Sequence, residues 1–451
     1  MNTRSDDASA GNIWSVMASE TMTEKVSDSE RSQSSQRPSD TSDTSGRAAR
    51  RDLGMPRRLM IVFAVACGLV AANLYYAQPM LETIAREFHA TSSSVGQIVT
   101  VTQLGFAAGL LLLVPLGDLL DRRRLIAMTL LLATLGLIVM AVAPTLSVLL
   151  LAGLLVGVTS VVAQILVPFA ATLANNANRG RVVGFVMSGL LLGILLSRTI
   201  AGLVSQVAGW RAVYGAAAAL TLALIVILWR ELPDAPRGAT GISYGKLLRS
   251  VLSIAREEPL LRRRAAYGAL AFAAFSVLWT SIAFLLARPP YGYNQAVIGL
   301  FGLVGVAGAL AAAFAGRWAD RGLARATTGG FILVALLAWG LIALGGANII
   351  ALIVGILLLD LGAQGIHITN QSEIYRLRPE ARSRLTAAYM TTYFVGGALG
   401  SSGSALIYER AGWPGVAALG AAFIALALLL WFTELRKRQP PSPSRAASLA
   451  S

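Results

Sequence analysis

The chain has 451 residues, of which 55% are hydrophobic and only 14% charged, too little charge to cover a water-soluble surface. Its net charge of +15, from 38 Lys and Arg against 23 Asp and Glu, could serve nucleic acid in a soluble protein. Basic residues also gather on the cytoplasmic side of membrane proteins, so their placement decides between the two readings.

Residues 1–55 carry no apolar core of the kind a signal peptide needs and are rich in Ser, Thr, Asp and Arg, which predicts a disordered cytoplasmic tail. Acidic residues are interspersed and aromatics scarce there, which speaks against a nucleic-acid arm. Beyond the tail, twelve mostly apolar runs of about 20 residues alternate with short loops of Gly, Pro, Asn and charges, the pattern of membrane-crossing helices. Six fall near 59–79, 95–117, 125–143, 147–171, 183–205 and 211–229. Six more fall near 266–287, 296–316, 328–346, 349–371, 386–407 and 413–433. The expected fold is an all-α membrane protein of two six-helix bundles, residues 56–230 and 265–436, with a linker at 231–264 and a cytoplasmic tail at 437–451.

The linker opens with Pro233, Pro236, Gly238 and Gly241 and ends with Arg262, Arg263 and Arg264. Between them, Leu247, Leu248, Val251, Leu252 and Ala255 share a helical face opposite basic residues. That suits a helix lying on the membrane surface, or equally a solvated one. Cys67, the single cysteine, lies in an apolar run, so an intramolecular disulfide and a Cys-rich metal site are excluded.

With both termini cytoplasmic, only Arg86, Arg211, Arg288 and Arg410 fall in outer loops and only Arg198 falls within a span. Every other Lys and Arg lies on the cytoplasmic side. This is the positive-inside asymmetry, and it absorbs the net charge without nucleic acid.

The two halves repeat. Arg179, Arg181, Met187, Gly193, Gly209 and Trp210 recur as Arg382, Arg384, Met390, Gly396, Gly412 and Trp413 at an offset of 203. Gly117, Asp121 and Arg122 recur as Gly316, Asp320 and Arg321 at an offset of 199. Spans five and eleven, and two and eight, are therefore counterparts in two parallel repeats.

The string Gly117-Asp118-Leu119-Leu120-Asp121-Arg122-Arg123-Arg124 resembles the loop signature of the major facilitator superfamily, and its partial copy from Gly316 to Arg321 stands where that family repeats it. The resemblance covers about residues 56–436. It implies a cytoplasmic gate in which glycine permits close helix approach and the Asp pairs with Arg or backbone N–H groups. Asn73-Leu74-Tyr75-Tyr76-Ala77-Gln78-Pro79 and Leu359-Asp360-Leu361-Gly362-Ala363-Gln364, with Asn370-Gln371, are similar to the bacterial drug:proton antiporter-type branch of efflux permeases. Two departures stand out. The branch's span-four Arg is missing near Gly153, and the Gly-Pro of its span-five motif is replaced by Ser197-Arg198.

In span ten, Asp360, Gln364, His367 and Gln371 lie at i, i+4, i+7 and i+11 on one helical face. Asp and His can relay protons; interhelical hydrogen bonding is the alternative role. Arg198 needs a partner or a wet cavity, because an unpaired intramembrane Arg is costly; it could hold an anionic substrate group, take part in coupling, or form a structural ion pair with Asp360. By helix rise it lies ~22 Å above the cytoplasmic edge and Asp360 ~12 Å, so an ion pair requires Arg198 to reach down. Asn73, Tyr76 and Gln78 in span one, Gln164 in span four and Trp279 in span seven are candidate cavity residues, though Tyr and Trp also anchor helices at interfaces. Gly105 and Gly109, Gly189 and Gly193, Gly396 and Gly400, and Gly308 with Ala312 are four apart. They mark close helix packing or, in the sharper reading, sliding contacts between halves.

The expected function is secondary active transport of a small organic molecule by alternating access, as efflux driven by a proton gradient, without cofactor or metal. The setting is a bacterial inner membrane and the working unit a monomer. An uncoupled facilitator or differently coupled uptake carrier is the main alternative, and a non-transporting sensor a further one. A membrane-embedded enzyme lacks support, because only His89 and His367 exist and neither H-E-x-x-H nor a P-loop occurs.

Overall fold

In a computed structural model of the protein the described residues are 55–175, 178–233, 243–305, 323–378 and 381–436, with the side chain of Asp118 outside that set. Both predicted tails lie outside it except for Met55, as do Pro236, Gly238 and Gly241 of the linker, Gly308, Ala312 and the second gate string Gly316, Asp320 and Arg321. The described residues are helical and contain no strand.

The N-terminal half begins with α1 (Arg57–Ala72). Span one, expected as a continuous helix over 59–79, breaks here: residues 73–77 form turns, a 3-10 turn covers Gln78–Met80, and α2 (Leu81–Glu87) follows. The cause is Pro79, which lacks an N–H and crowds the carbonyl four residues back. The Tyr75 carbonyl accepts instead from Gln78 N at 3.2 Å, and Ala72 O accepts from Tyr75 N at 2.9 Å. Tyr75, Tyr76 and Gln78 thus sit on an unwound stretch.

Span two is α3 (Ser92–Leu112), capped by Thr91, whose hydroxyl accepts from Ser94 N. Span three is α4 (Arg122–Ala141), capped by Asp121. Span four also breaks, into α5 (Leu146–Thr159) and α6 (Val162–Leu173). Thr159 and Ser160 donate their hydroxyls to the carbonyls of Leu155 and Val156 at 2.8 and 2.7 Å, a back-bonding that bends helices. Spans five and six are α7 (Arg179–Ala208) and α8 (Trp210–Glu231).

The linker holds α9 (Tyr244–Glu257), with Val251 and Ile254 buried against the bundle and Leu252 exposed. Span seven is α10 (Pro259–Leu286). It starts inside the predicted linker, because Pro259 suits a first helical position, so Arg262 to Arg264 belong to its opening turns. Next come α11 (Gln295–Leu300) and a 3-10 turn at Phe301–Gly305, which open span eight. Spans nine and ten are α12 (Ala324–Leu344) and α13 (Ile349–Tyr375). The last helix, α14 (Arg382–Arg436), contains spans eleven and twelve, separated at Gly412.

Nine helical segments among the described residues are long and apolar enough to cross a membrane. With α14 counting twice, span one broken and span eight only begun, the described elements are consistent with twelve spans.

The repeat extends into tertiary contacts. Gly209 and Gly412 both take positive φ, 83° and 59°, a conformation glycine adopts without cost, and each aims the following Trp inward. Trp210 and Trp413 are buried. Glu231 and Glu434, also 203 apart, each close their half by pairing with the start of its first span. Glu231 meets Arg58 at 2.7 Å, and Glu434 meets Arg263 at 3.6 Å and Arg264 at 3.8 Å.

We call the end of the bundle holding residues 88–91 and 287–294 the distal end and the opposite one the terminal end. From the distal end inward, one face of α3 bonds to the other half rung by rung. Ser93 N donates to Glu409 Oε2 at 3.3 Å, Gln97 Nε2 to Ser402 Oγ at 3.4 Å, Thr100 and Ser401 hydroxyls share a bond of 2.8 Å, and Gln103 Nε2 donates to Ser276 Oγ at 3.1 Å. The small-residue stripes behave differently from the sliding-contact expectation. Gly189 and Gly193 abut Ala64 and Gly68, Gly396 and Gly400 abut Ala269 and Ala273, and Gly105 and Gly109 abut Leu154 and Val158, all within one half. Packing inside each bundle is their job; close approaches between halves fall at other glycines, among them Gly96 against Ala405 and Gly202 against Gln295.

Candidate functional site

Arg198 is the buried cation at the centre, 4% exposed on α7. Its Nε donates to Gln78 Oε1 at 2.6 Å, a bond available because the break in span one turns Gln78 inward. The guanidinium carbon lies 4.0 Å from the ring centroid of Trp279, 4.8 Å from Tyr75 and 5.8 Å from Phe275. Aromatic faces partly replace lost hydration around a cation. Two of these rings come from α10 in the other half, so the site lies where the halves meet.

Asp360, on α13 of the C-terminal half, is 5% exposed. No nitrogen of Arg198 comes within salt-bridge distance of it, yet the two charges are close enough to interact. The direct ion pair considered from the sequence is therefore absent. Arg198 Nη2, Asp360 Oδ1 and Asn73 Nδ2 are buried and without hydrogen-bond partners. The indole N–H of Trp279 adjoins the Asp360 carboxylate but stops short of hydrogen-bond geometry.

Span eight roofs both charges. At Gly302 a side chain would place Cβ 2.8 Å from Arg198 Cβ, and at Gly305 2.5 Å from Asp360 Oδ2. Thr199 Oγ1 donates to Gly299 O at 3.0 Å beside them. Gly299, Gly302 and Gly305, three apart in a segment that tightens to a 3-10 turn, present one face to α7 and α13.

Of the other candidates, His367 stands apart from Arg198. It is half-buried, with Nδ1 3.0 Å from the Tyr389 hydroxyl and its ring 4.8 Å from Tyr393. Tyr393 in turn stacks on Phe272 at 4.1 Å, and Phe272 on Phe275 at 5.7 Å, so aromatic side chains join the two places. Gln364 and Gln371 are half-buried on the same helix, and Gln164 half-buried on α6. Tyr76 departs from its expected place. It packs with Met80, Leu137 and Tyr214 in an apolar cluster, and its neighbour Tyr75 faces Arg198 instead. On an unwound stretch consecutive residues diverge, which helical periodicity does not reveal.

The first gate string is tied to its own helix and, through Arg122 to Thr172 and Arg123 to the Trp229 carbonyl, to α6 and α8. Asp121 Oδ1 accepts from Arg124 N at 3.2 Å, capping its own helix, while Arg122 Nε donates to Gly117 O at 3.1 Å and its guanidinium covers Phe169 at 5.4 Å. A Cβ at Gly117 would meet only ordinary contacts, the nearest at 3.6 Å. Close helix approach is thus not the reason for glycine there.

Sequence reasoning passed over Tyr75, Gln103, Phe275 and the three span-eight glycines. Gln103 had a signal: Ser93, Gln97, Thr100 and Gln103 lie at i, i+4, i+7 and i+10, a polar stripe along one helical face like that of Asp360, Gln364, His367 and Gln371.

Residues 63–401 match the family model described as Major Facilitator Superfamily. The chain belongs to the Major Facilitator Superfamily. It is 52% identical over 381 residues to the uncharacterized transporter YgaY of Escherichia coli O157:H7, covering 84% of this chain and 96% of that one. It is 36% identical over 395 residues to a protein of Streptomyces coelicolor named a probable transporter, covering 85% and 90%. Its fold matches a crystal structure of a bacterial homolog of the human lysosomal transporter Spinster, inward-facing and unoccupied, with a TM-score of 0.69 at 13% identity, covering 85% of this chain and 98% of that one. This superfamily member is a multi-pass membrane transport protein and not an enzyme.

Proposed function

We propose that the protein exports a small organic molecule in exchange for protons, as a monomer of the drug:proton antiporter-type branch in a bacterial inner membrane. Residues 56–230 and 265–436 rock about the Arg198 and Asp360 chamber, with both termini cytoplasmic and no cofactor. The orientation rests on the crowding of Lys and Arg at the terminal end. The observation that carries the reading is the buried, unpaired Asp360 beside Arg198 at the junction of the halves: a carboxylate that can lose its charge by taking a proton is a coupling group, and an arginine cannot play that part.

A second reading, the uncoupled facilitator, draws on Gly153. Where the branch carries an arginine, this chain has a glycine whose Cβ position lies 3.3 Å from Thr102 Oγ1, inside helix packing.

Proteoliposomes loaded with a pH-sensitive dye and offered a panel of drugs and metabolites separate the two. Coupling gives substrate-triggered proton flux that Asp360→Asn abolishes while expression and folding stay at wild-type level. Uphill transport unchanged in that variant would sink the proposal, and substrate movement without proton flux would establish the facilitator.

A further inference from the structure

The junction of the halves buries two opposite charges that do not satisfy each other. Arg198 uses Nε on Gln78 and its faces on Trp279, Tyr75 and Phe275, which leaves Nη2 buried and free. Asp360 keeps Oδ1 buried and free, with its other oxygen against Gly305. Their separation exceeds salt-bridge distance and the Trp279 N–H only adjoins the carboxylate, so Nη2 and Oδ1 are each left for an outside partner.

We propose that the ligand is a zwitterion of the amino-acid type with a large apolar or aromatic side chain: its carboxylate on Arg198 Nη2, its ammonium on Asp360 Oδ1, its side chain against Tyr75 and Phe275. This rests on the transporter reading above and names its substrate class. A simple organic anion answers Arg198 but brings a second negative charge beside Asp360; a simple cation answers Asp360 but faces the guanidinium. A ligand with both charges, a few ångströms apart, answers both. The rings supply the apolar wall, and Asn73 Nδ2 on the unwound stretch is a spare donor for a carboxylate oxygen.

The ligand also fixes the exchange. Ammonium and proton compete for the same Asp360 carboxylate, so the site carries one or the other: the ligand leaves when Asp360 takes a proton, and the proton leaves when the ligand returns. Mutual exclusion at one oxygen pair is the stoichiometric core of an antiporter.

The test uses the full chain in dye-loaded proteoliposomes and, in parallel, thermal stabilisation of the detergent-purified protein. The probes are L-phenylalanine, L-tryptophan and L-leucine beside N-acetyl-L-phenylalanine, which lacks the ammonium, phenethylamine, which lacks the carboxylate, and glycine, which lacks the side chain. The expected result is stabilisation and proton flux with the first three, each at least tenfold weaker with the single-charge analogues and with glycine. Arg198→Lys is expected to retain part of the response and Arg198→Gln to lose it. Equal response to N-acetyl-L-phenylalanine would make the site an organic-anion site and overturn the proposal, as would equal response to phenethylamine for an organic cation. No response to any amino acid, with Asp360-dependent proton flux from another compound, overturns the zwitterion and leaves the coupled transporter standing. Amino-acid binding and movement without proton flux keeps the zwitterion and overturns the coupling.

Discussion

Glu434 Oε1 lies 3.8 Å from Arg264 Nη2, with the two side chains 5% and 2% exposed, while the equivalent pair of the other half, Arg58 and Glu231, is 79% and 22% exposed. The same closure between first and last span is thus built dry in one half and wet in the other. Around Glu434 are also Arg263 and Arg325, each at 3.6 Å, and the Tyr267 hydroxyl, which donates at 2.9 Å. Glu434→Gln takes one carboxylate from the buried Arg264, which keeps Glu373 Oε2 at 3.7 Å and the Thr328 hydroxyl at 2.9 Å, and is expected to destabilise by about 1.5–3 kcal/mol, whereas Glu231→Gln costs about 0–1 kcal/mol. Thermal unfolding of the two purified variants measures this, and equal effects would show that burial does not set the strength of these pairs.

Gly305→Ala pushes a methyl group into Asp360 Oδ2. Transport is expected to fall at least tenfold with expression retained, because the carboxylate or span eight above it must shift. Gly340→Ala is the control. Nothing lies within 4 Å of a Cβ there, and alanine gains roughly 1 kcal/mol of helix propensity. Flux per unit of reconstituted protein decides; matching activities would remove span eight from the site.

Gln78 holds Arg198 through one short, charge-assisted bond. Gln78→Ala is expected to cost about 1.5–3 kcal/mol of stability and to loosen the arginine. Gln78→Glu supplies a fixed counter-charge that competes with any anionic ligand group, so ligand affinity is expected to fall while stability holds. Ligand titrations beside melting curves separate the two effects.

At the distal end Glu87 accepts hydrogen bonds from Trp210 Nε1 and Arg211 Nη1. Burial alone would raise its pKa, but those bonds and the Arg211 charge together bring it below the usual 4.5. A carboxylate depressed in the folded state contributes stability above its unfolded pKa and loses it as pH falls through the folded value. Stability is therefore expected to decline below about pH 4.3 with a slope that Glu87→Gln reduces. Melting temperatures across pH 3–6 read this directly, and an unchanged slope would dismiss the contribution.

How far the site was legible follows from what periodicity encodes. Asp360 stands out because a carboxylate in an apolar span is expensive, and Arg198 for the same reason; neither needs a structure to be noticed. Tyr75 over Tyr76 could not be chosen, because the choice depends on where Pro79 unwinds the helix and which way the freed residues turn. The glycines of span eight were invisible as site residues, since their meaning lies in what they leave room for, two charges from helices far away in sequence. The stripes of span two, five and eleven were read at the right spacing but could not reveal their partners: a helix face announces that something packs there, not which helix.

The sequence by itself determined the solvent, the number of apolar runs, the two-fold repeat and the side on which the cations gather. These are properties of single segments and their composition, fixed by the cost of placing polar groups in lipid. Only the tertiary structure decided that Arg198 and Asp360 lie near each other, buried, without pairing, that Glu434 is buried where Glu231 is not, and that the small-residue stripes bind each bundle internally. Those depend on distances between helices, and the free energy that sets them comes from packing side chains of different spans against one another.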